Sequence, residues 1–142
     1  MSRNMTPSLI LSHCFQLVRD QDEALTFYRD VLGFEVRSDS PFMEFRWLTV
    51  GPAEQPELEI CLALPAMGHS KEDAATLLDL VSKGALGSLI LLTDDVNALF
   101  EKLSAAGAEV VQEPIDQPYG VRDCAFRDPS GNQLRFSQTM AA

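Results

Sequence analysis

Hydrophobic and polar positions follow two periods along this chain, one helical and one strand-like, and they come in the same order in each half. Residues 12–18 read as a strand ending near Asp20, whose carboxylate is placed to cap a following helix. Ala24, Phe27, Tyr28 and Val31 then fall at helical spacing, Gly33 stops the stripe, and Phe34 to Arg37 reads as a strand. In the second half Asp94 or Asp95 is the cap, Val96, Leu99, Phe100 and Leu103 form the stripe, and Gly107 stops it. Glu109 to Gln112 is the strand that follows. An offset of 74 (94 − 20) lays Asp20 on Asp94, Ala24 on Ala98, Gly33 on Gly107 and Val36 on Val110. Two copies of one unit predict a pseudo-symmetric pair.

Further strands complete each half. Met43 to Val50 is aromatic and β-branched and stops at Gly51-Pro52. Glu57 to Leu62 alternates, with Leu58, Ile60 and Leu62 on one face and Glu57, Glu59 and Cys61 on the other. Val121 to Phe126 leads into the tight turn Asp128-Pro129-Ser130-Gly131-Asn132, and Gln133 to Gln138 returns. Between the halves an extra helix is expected over residues 71–83, with Ala74, Leu77, Leu78 and Val81 as its stripe. The segments 51–56 and 112–120, rich in Pro and Gly, are expected as rim loops.

Composition narrows the class. A chain of 142 residues, 46% hydrophobic, can bury a core without staples, and no linker-like stretch divides it. One domain over residues 1–142 is expected, with one module at 8–63 and a second at 86–138. A formal charge of −10 argues against nucleic acid as a partner, because phosphate backbones select clustered Lys and Arg. No apolar run approaches the roughly 20 residues a bilayer needs, and the N-terminus has no secretory pattern. A cytoplasmic protein without a membrane partner is expected. Cys14, Cys61 and Cys124 are far apart and odd in number, so they read as free thiols.

Strands that pack one face on helices present the other elsewhere. That other face carries His13, Glu59, Cys61, Gln133 and Arg135, which predicts a curved sheet forming a cup, a natural small-molecule site. His13 lies seven residues before Asp20, Phe27-Tyr28-Arg29-Asp30-Val31-Leu32-Gly33-Phe34 follows, and Asp128-Pro129-Ser130-Gly131-Asn132 comes near the end. In this order the motifs resemble the signatures of the glyoxalase / bleomycin-resistance / extradiol-dioxygenase (vicinal-oxygen-chelate) superfamily. The resemblance implies an α+β fold of two βαβββ modules, a curved mixed sheet with helices outside, and a homodimer. It also implies a cup that holds a divalent metal or a bulky ligand.

Carried over residue by residue, the metal positions of that superfamily fall on His13, Glu59, Ser88 and Arg135. Only the first two are good ligands. A serine hydroxyl is a poor neutral donor, and Arg stays protonated and repels a cation. The expectation is therefore no cofactor, with His13 and Glu59 as the donors if any metal binds, and with Arg135 pairing to Glu59 in the cation's place. Ligand-binding candidates are His13, Glu59, Cys61, Ser88, Arg135 and Trp47, although Phe45 and Trp47 also read as core or dimer surface.

Two functional readings follow. The first is a metal-independent small-molecule binder of the drug-sequestering kind. The second is an enzyme of the lyase, isomerase or dioxygenase type, either metal-dependent with an unusual ligand set or metal-free with His13 and Glu59 as acid and base. A third, an assembly or regulatory module without ligand, predicts that the inner polar groups neutralise one another. Whether the protein is an enzyme stays open at this point, because a fold hosts many chemistries.

Overall fold

The computed structural model describes residues 5–140. Strands β1 (His13–Leu17), β2 (Glu35–Phe42), β3 (Phe45–Gly51) and β4 (Glu59–Ala63) form one sheet, in the order β1-β4-β3-β2. Strands β5 (Leu89–Leu92), β6 (Glu109–Asp116), β7 (Val121–Arg127) and β8 (Gln133–Thr139) form a second, ordered β5-β8-β7-β6. In each sheet the first strand runs parallel to the last and the other pairings are antiparallel. The repeat expected from the spacing is thus a repeat of topology.

Helix α1 (Gln21–Leu25) is capped by the Asp20 side chain, which accepts from Glu23 N. Helix α2 (Lys71–Ser82) is capped by Ser70, and α3 (Val96–Ala105) by Asp95, which accepts from Ala98 N. Asp95 is therefore the counterpart of Asp20, an offset of 75 (95 − 20). The closing glycines, Gly33 and Gly107, are 74 apart (107 − 33) and sit at φ +79° and +85°, where a Cβ would be strained. The first module thus holds one more residue between cap and glycine. It is absorbed at Thr26–Val31, where the helix continues as a π-helix, the usual way a helix takes up an inserted residue.

One hydrophobic cluster draws on both modules. Val18, Ala24, Phe27, Tyr28, Leu48, Val50, Ile60 and Leu62 come from the first, and Val96, Leu103, Cys124, Phe126, Leu134 and Phe136 from the second. The strand members Ile60, Leu62, Leu134 and Phe136 lie on the helix-facing pleats, as the alternation predicted. Ala24, Phe27, Val96 and Leu103 come from the helical stripes that face them. The modules are also tied by the Asp128 turn, since Asn132 Nδ2 donates to Leu17 O and Ser130 Oγ accepts from Arg19 N.

Two strands run longer than the sequence pattern predicts. The strand expected at Phe34 to Arg37 continues to Phe42, and that at Glu109 to Gln112 continues to Asp116. Ser38, Asp39, Ser40, Pro41 and Pro114 argue locally against strand. However, both are edge strands, where a missing donor is tolerated and one neighbour suffices. The expected rim loop at 112–120 shrinks accordingly to Gln117–Gly120. Among the described residues no helix is long and apolar enough to cross a membrane.

Candidate functional site

The open face of the first sheet carries an apolar cleft of about 560 Å³. Strand alternation builds it: Phe15 and Leu17 project from β1, Ala63 from β4, Trp47 from β3 and Phe42 from β2. The connection from β4 to α2 closes one end with Met67, Gly68 and His69. Trp47 is the hub. Its ring lies 6.0 Å from Phe15 and 6.0 Å from Phe42, both edge-on, and 6.2 Å from the His13 imidazole. Tilted and edge-on pairs are the arrangements the ring quadrupole favours. The volume is in the range of drug-sized pockets.

His13 and Glu59 meet across the parallel β1–β4 pairing, where they are direct partners in register. His13 Nε2 lies 3.3 Å from Glu59 Oε2, and Thr49 Oγ1 donates to Glu59 Oε1 at 2.7 Å. On the other edge of the imidazole, Nδ1 is 2.9 Å from Ser12 Oγ. Glu59 is thus held by two neighbours inside its own sheet.

Arg135 does not pair with Glu59, contrary to the expectation from sequence. Its Nη1 is 3.1 Å from Asp123 Oδ2 and donates to Gln112 Oε1. The reason is topological: Glu59 is in the first sheet and Arg135 in the second. Each finds its partner on the neighbouring strand, Thr49 on β3 and Asp123 on β7. The register sets Arg135 opposite Ile90 and not beside Ser88, which precedes β5 and is exposed.

Asp123, its side chain 1% exposed, is the buried carboxylate that sequence reading missed. It accepts from Gln112 Nε2 (2.8 Å) and Gln117 Nε2 (2.9 Å), with the Tyr119 hydroxyl at 3.4 Å. Burial by itself would raise its pKa, but the bonds from Gln117, Gln112 and Arg135 outweigh that and hold it below the usual carboxylate value. A depressed folded value contributes stability that is fully present above the unfolded pKa, about 3.9, and lost as pH falls through the folded one. Asp123→Asn is therefore expected to flatten the fall in stability below about pH 4, as measured by denaturant midpoints across pH. An unchanged acid limb would contradict this role.

Of the residues singled out from sequence, the structure brings His13, Glu59 and Trp47 together at one face. Ser88 and Arg135 are on the other module. Cys61 shares the Glu59 pleat but has 0% exposure, and burial raises its thiol pKa. Cys124 is buried too, and burial pushes its thiol to about 11. Phe15 and Leu17 were legible in principle, since they follow His13 at steps of two. Phe42, Met67 and His69 had no such signal, because a hairpin and a turn bring them in.

A divalent metal does not fit this donor set. Among the described residues no group of three or more His, Cys, Asp or Glu side chains is placed to hold one. Arg135 is committed to Asp123 and, staying protonated, cannot ligate a cation.

Each half of the chain repeats the order βαβββ, the paired-module architecture of the vicinal-oxygen-chelate fold. The chain belongs to the Glyoxalase/Bleomycin resistance protein/Dioxygenase superfamily, which it matches over residues 10–136. The crystal structure of UcmS2 is similar at 40% identity and TM-score 0.86, with 92% of this chain and 98% of that one covered. TnmS3, described as an antibiotic binding protein from Streptomyces sp. CB03234, is 30% identical with TM-score 0.73, covering 96% and 99%. A "Probable lactoylglutathione lyase" of Synechocystis sp. is 28% identical over 134 residues, 92% of this chain and 96% of its own length.

Proposed function

We propose that this protein is a metal-independent binder of a flat aromatic small molecule, of the antibiotic-sequestering kind. The observation that carries the reading is the Trp47-centred cleft, beside a donor set that lacks the ligands for a Lewis-acid centre. The likeness to TnmS3, an antibiotic binding protein, supports it. Trp47 is the only tryptophan in the chain, so the site reports on itself. Titration with a planar aromatic antibiotic of the anthracycline type is expected to quench its fluorescence saturably, equally with and without EDTA, and to return the probe chemically unchanged. Quenching abolished by EDTA would sink the metal-free reading.

The His13–Glu59 contact supports a second reading, proton transfer on the bound molecule. A probe recovered with altered structure would favour it.

The working unit we propose is a homodimer in which a second copy covers the open faces. Ile90 (65% exposed) and Leu92 (81%) alternate outward on β5, and Leu9, Ile10 and Leu11 are also exposed. Contiguous exposed aliphatics on a monomer mark an interface. Sedimentation is expected to give about twice the chain's 15.7 kDa, and a monomer at micromolar concentration would count against it.

A further inference from the structure

The chain has two histidines, and their environments differ in a way that selects a ligand. At His13, the Glu59 carboxylate lies beside Nε2 and Ser12 Oγ beside Nδ1, so both ring nitrogens are occupied within the chain. A carboxylate beside Nε2 favours a proton there, and the serine hydroxyl can donate to Nδ1. His69 is different. Its Nδ1 is 2.8 Å from Pro65 O. A carbonyl oxygen can only accept, so Nδ1 carries the proton and the neutral ring keeps its lone pair on Nε2. That nitrogen has no partner among the described residues, and the ring lines the end of a cleft whose other walls are Phe15, Leu17, Phe42, Trp47 and Ala63.

The His69 tautomer is held by local structure. Pro65 is buried, the turn is closed by Met67 N donating to Leu64 O, and Ser70, the next residue after His69, caps α2. The imidazole is therefore presented by a connection anchored at both ends. It is an exposed side chain at the rim of an apolar slot, and Nε2 is the acceptor it offers there.

We infer that His69 sets the specificity of the cleft, its Nε2 accepting a hydrogen bond from a hydroxyl on an aromatic ring held against Trp47. The ligand class is then a phenol of a fused-ring system, not a bare hydrocarbon or its methyl ether. This deepens the binding reading above and rests on it.

The test uses three matched probes on the full chain by titration calorimetry: 2-naphthol, 2-methoxynaphthalene and naphthalene, at a pH where 2-naphthol is neutral. The wild type is expected to bind 2-naphthol about 3- to 10-fold tighter than its methyl ether, the discrimination of one hydrogen bond. In His69→Phe that preference is expected to collapse while naphthalene still binds. Nitrogen NMR of the wild type gives an independent readout, in which the His69 Nε2 resonance moves on adding 2-naphthol but not the ether. Equal binding of ether and phenol by the wild type would overturn the inference and leave the aromatic-cleft reading standing. So would a phenol preference that survives in His69→Phe. Failure of all three probes to bind or to perturb Trp47 would overturn the cleft reading itself.

Discussion

Replacing Asp128 by alanine is expected to lower the unfolding free energy by about 3–5 kcal/mol, because it strips one acceptor from several buried donors at once. Oδ1 accepts from the backbone N–H groups of Ser130, Gly131 and Asn132, and Oδ2 accepts from Asn132 Nδ2 and the Tyr28 hydroxyl. Tyr28 has 0% exposure, and burial, with the nearby Asp128 charge, raises its pKa well above normal, so the phenol stays a donor. Without the carboxylate, Asn132 Nδ2 keeps Leu17 O and Gly131 N keeps Asp128 O. The Tyr28 hydroxyl and the N–H groups of Ser130 and Asn132 lose their acceptor, and a buried unmet donor costs about 1–3 kcal/mol. The same turn holds the modules together through Leu17 O and Arg19 N, so cooperativity is expected to suffer as well. Urea unfolding with a ΔΔG under about 1 kcal/mol would mean the turn relaxes to water and is not a keystone. Tyr28→Phe, which removes a single donor, is expected to cost about 1 kcal/mol.

Trp47→Ala is expected to weaken binding of a planar aromatic probe by about 30-fold or more, roughly 2 kcal/mol, with little loss of fold stability. The two effects separate because β3 has two faces. Leu48 and Val50 point into the core at 0% exposure, while Trp47 projects into the cleft among Phe15, Phe42 and His13. Truncation removes the surface on which a ring would lie and leaves the helix-facing pleat untouched. Calorimetry serves here, since the variant has no tryptophan to quench. Unchanged affinity would move the binding site off this face and withdraw the cleft as the reading's basis. A large drop in melting temperature would instead make Trp47 a core residue, one of the two roles its sequence allowed.

Much of the architecture was present in local signals. Asp20 and its counterpart, the glycines at 33 and 107, and the alternation through Leu58, Ile60, Leu62, Leu134 and Phe136 each act over a few residues, so they can be read along the chain. The ordered motifs around His13 and Asp128 did the same for the family. That His13 and Glu59 share one face was also legible, while the β1–β4 pairing that brings them into contact was not. What local signals could not reach were the edge strands through Ser38–Pro41 and Pro114, whose pairing overrides weak propensity. Nor could they place the extra π-helical residue, visible only as an offset of 75 at the caps and 74 at the glycines.

The sequence by itself determined the repeat, the family and the core-facing positions Ile60, Leu62, Leu134 and Phe136, since these depend on residue identity and period. Tertiary structure alone decided the pairings. It gave Arg135 to Asp123 and left Glu59 to His13 and Thr49, because charges on separate sheets are neutralised by the nearest strand in their own sheet. It also gathered Phe42 from a hairpin and His69 from a turn around Trp47. Contacts across tens of residues are fixed by the packing of the sheet and leave no trace in the local pattern.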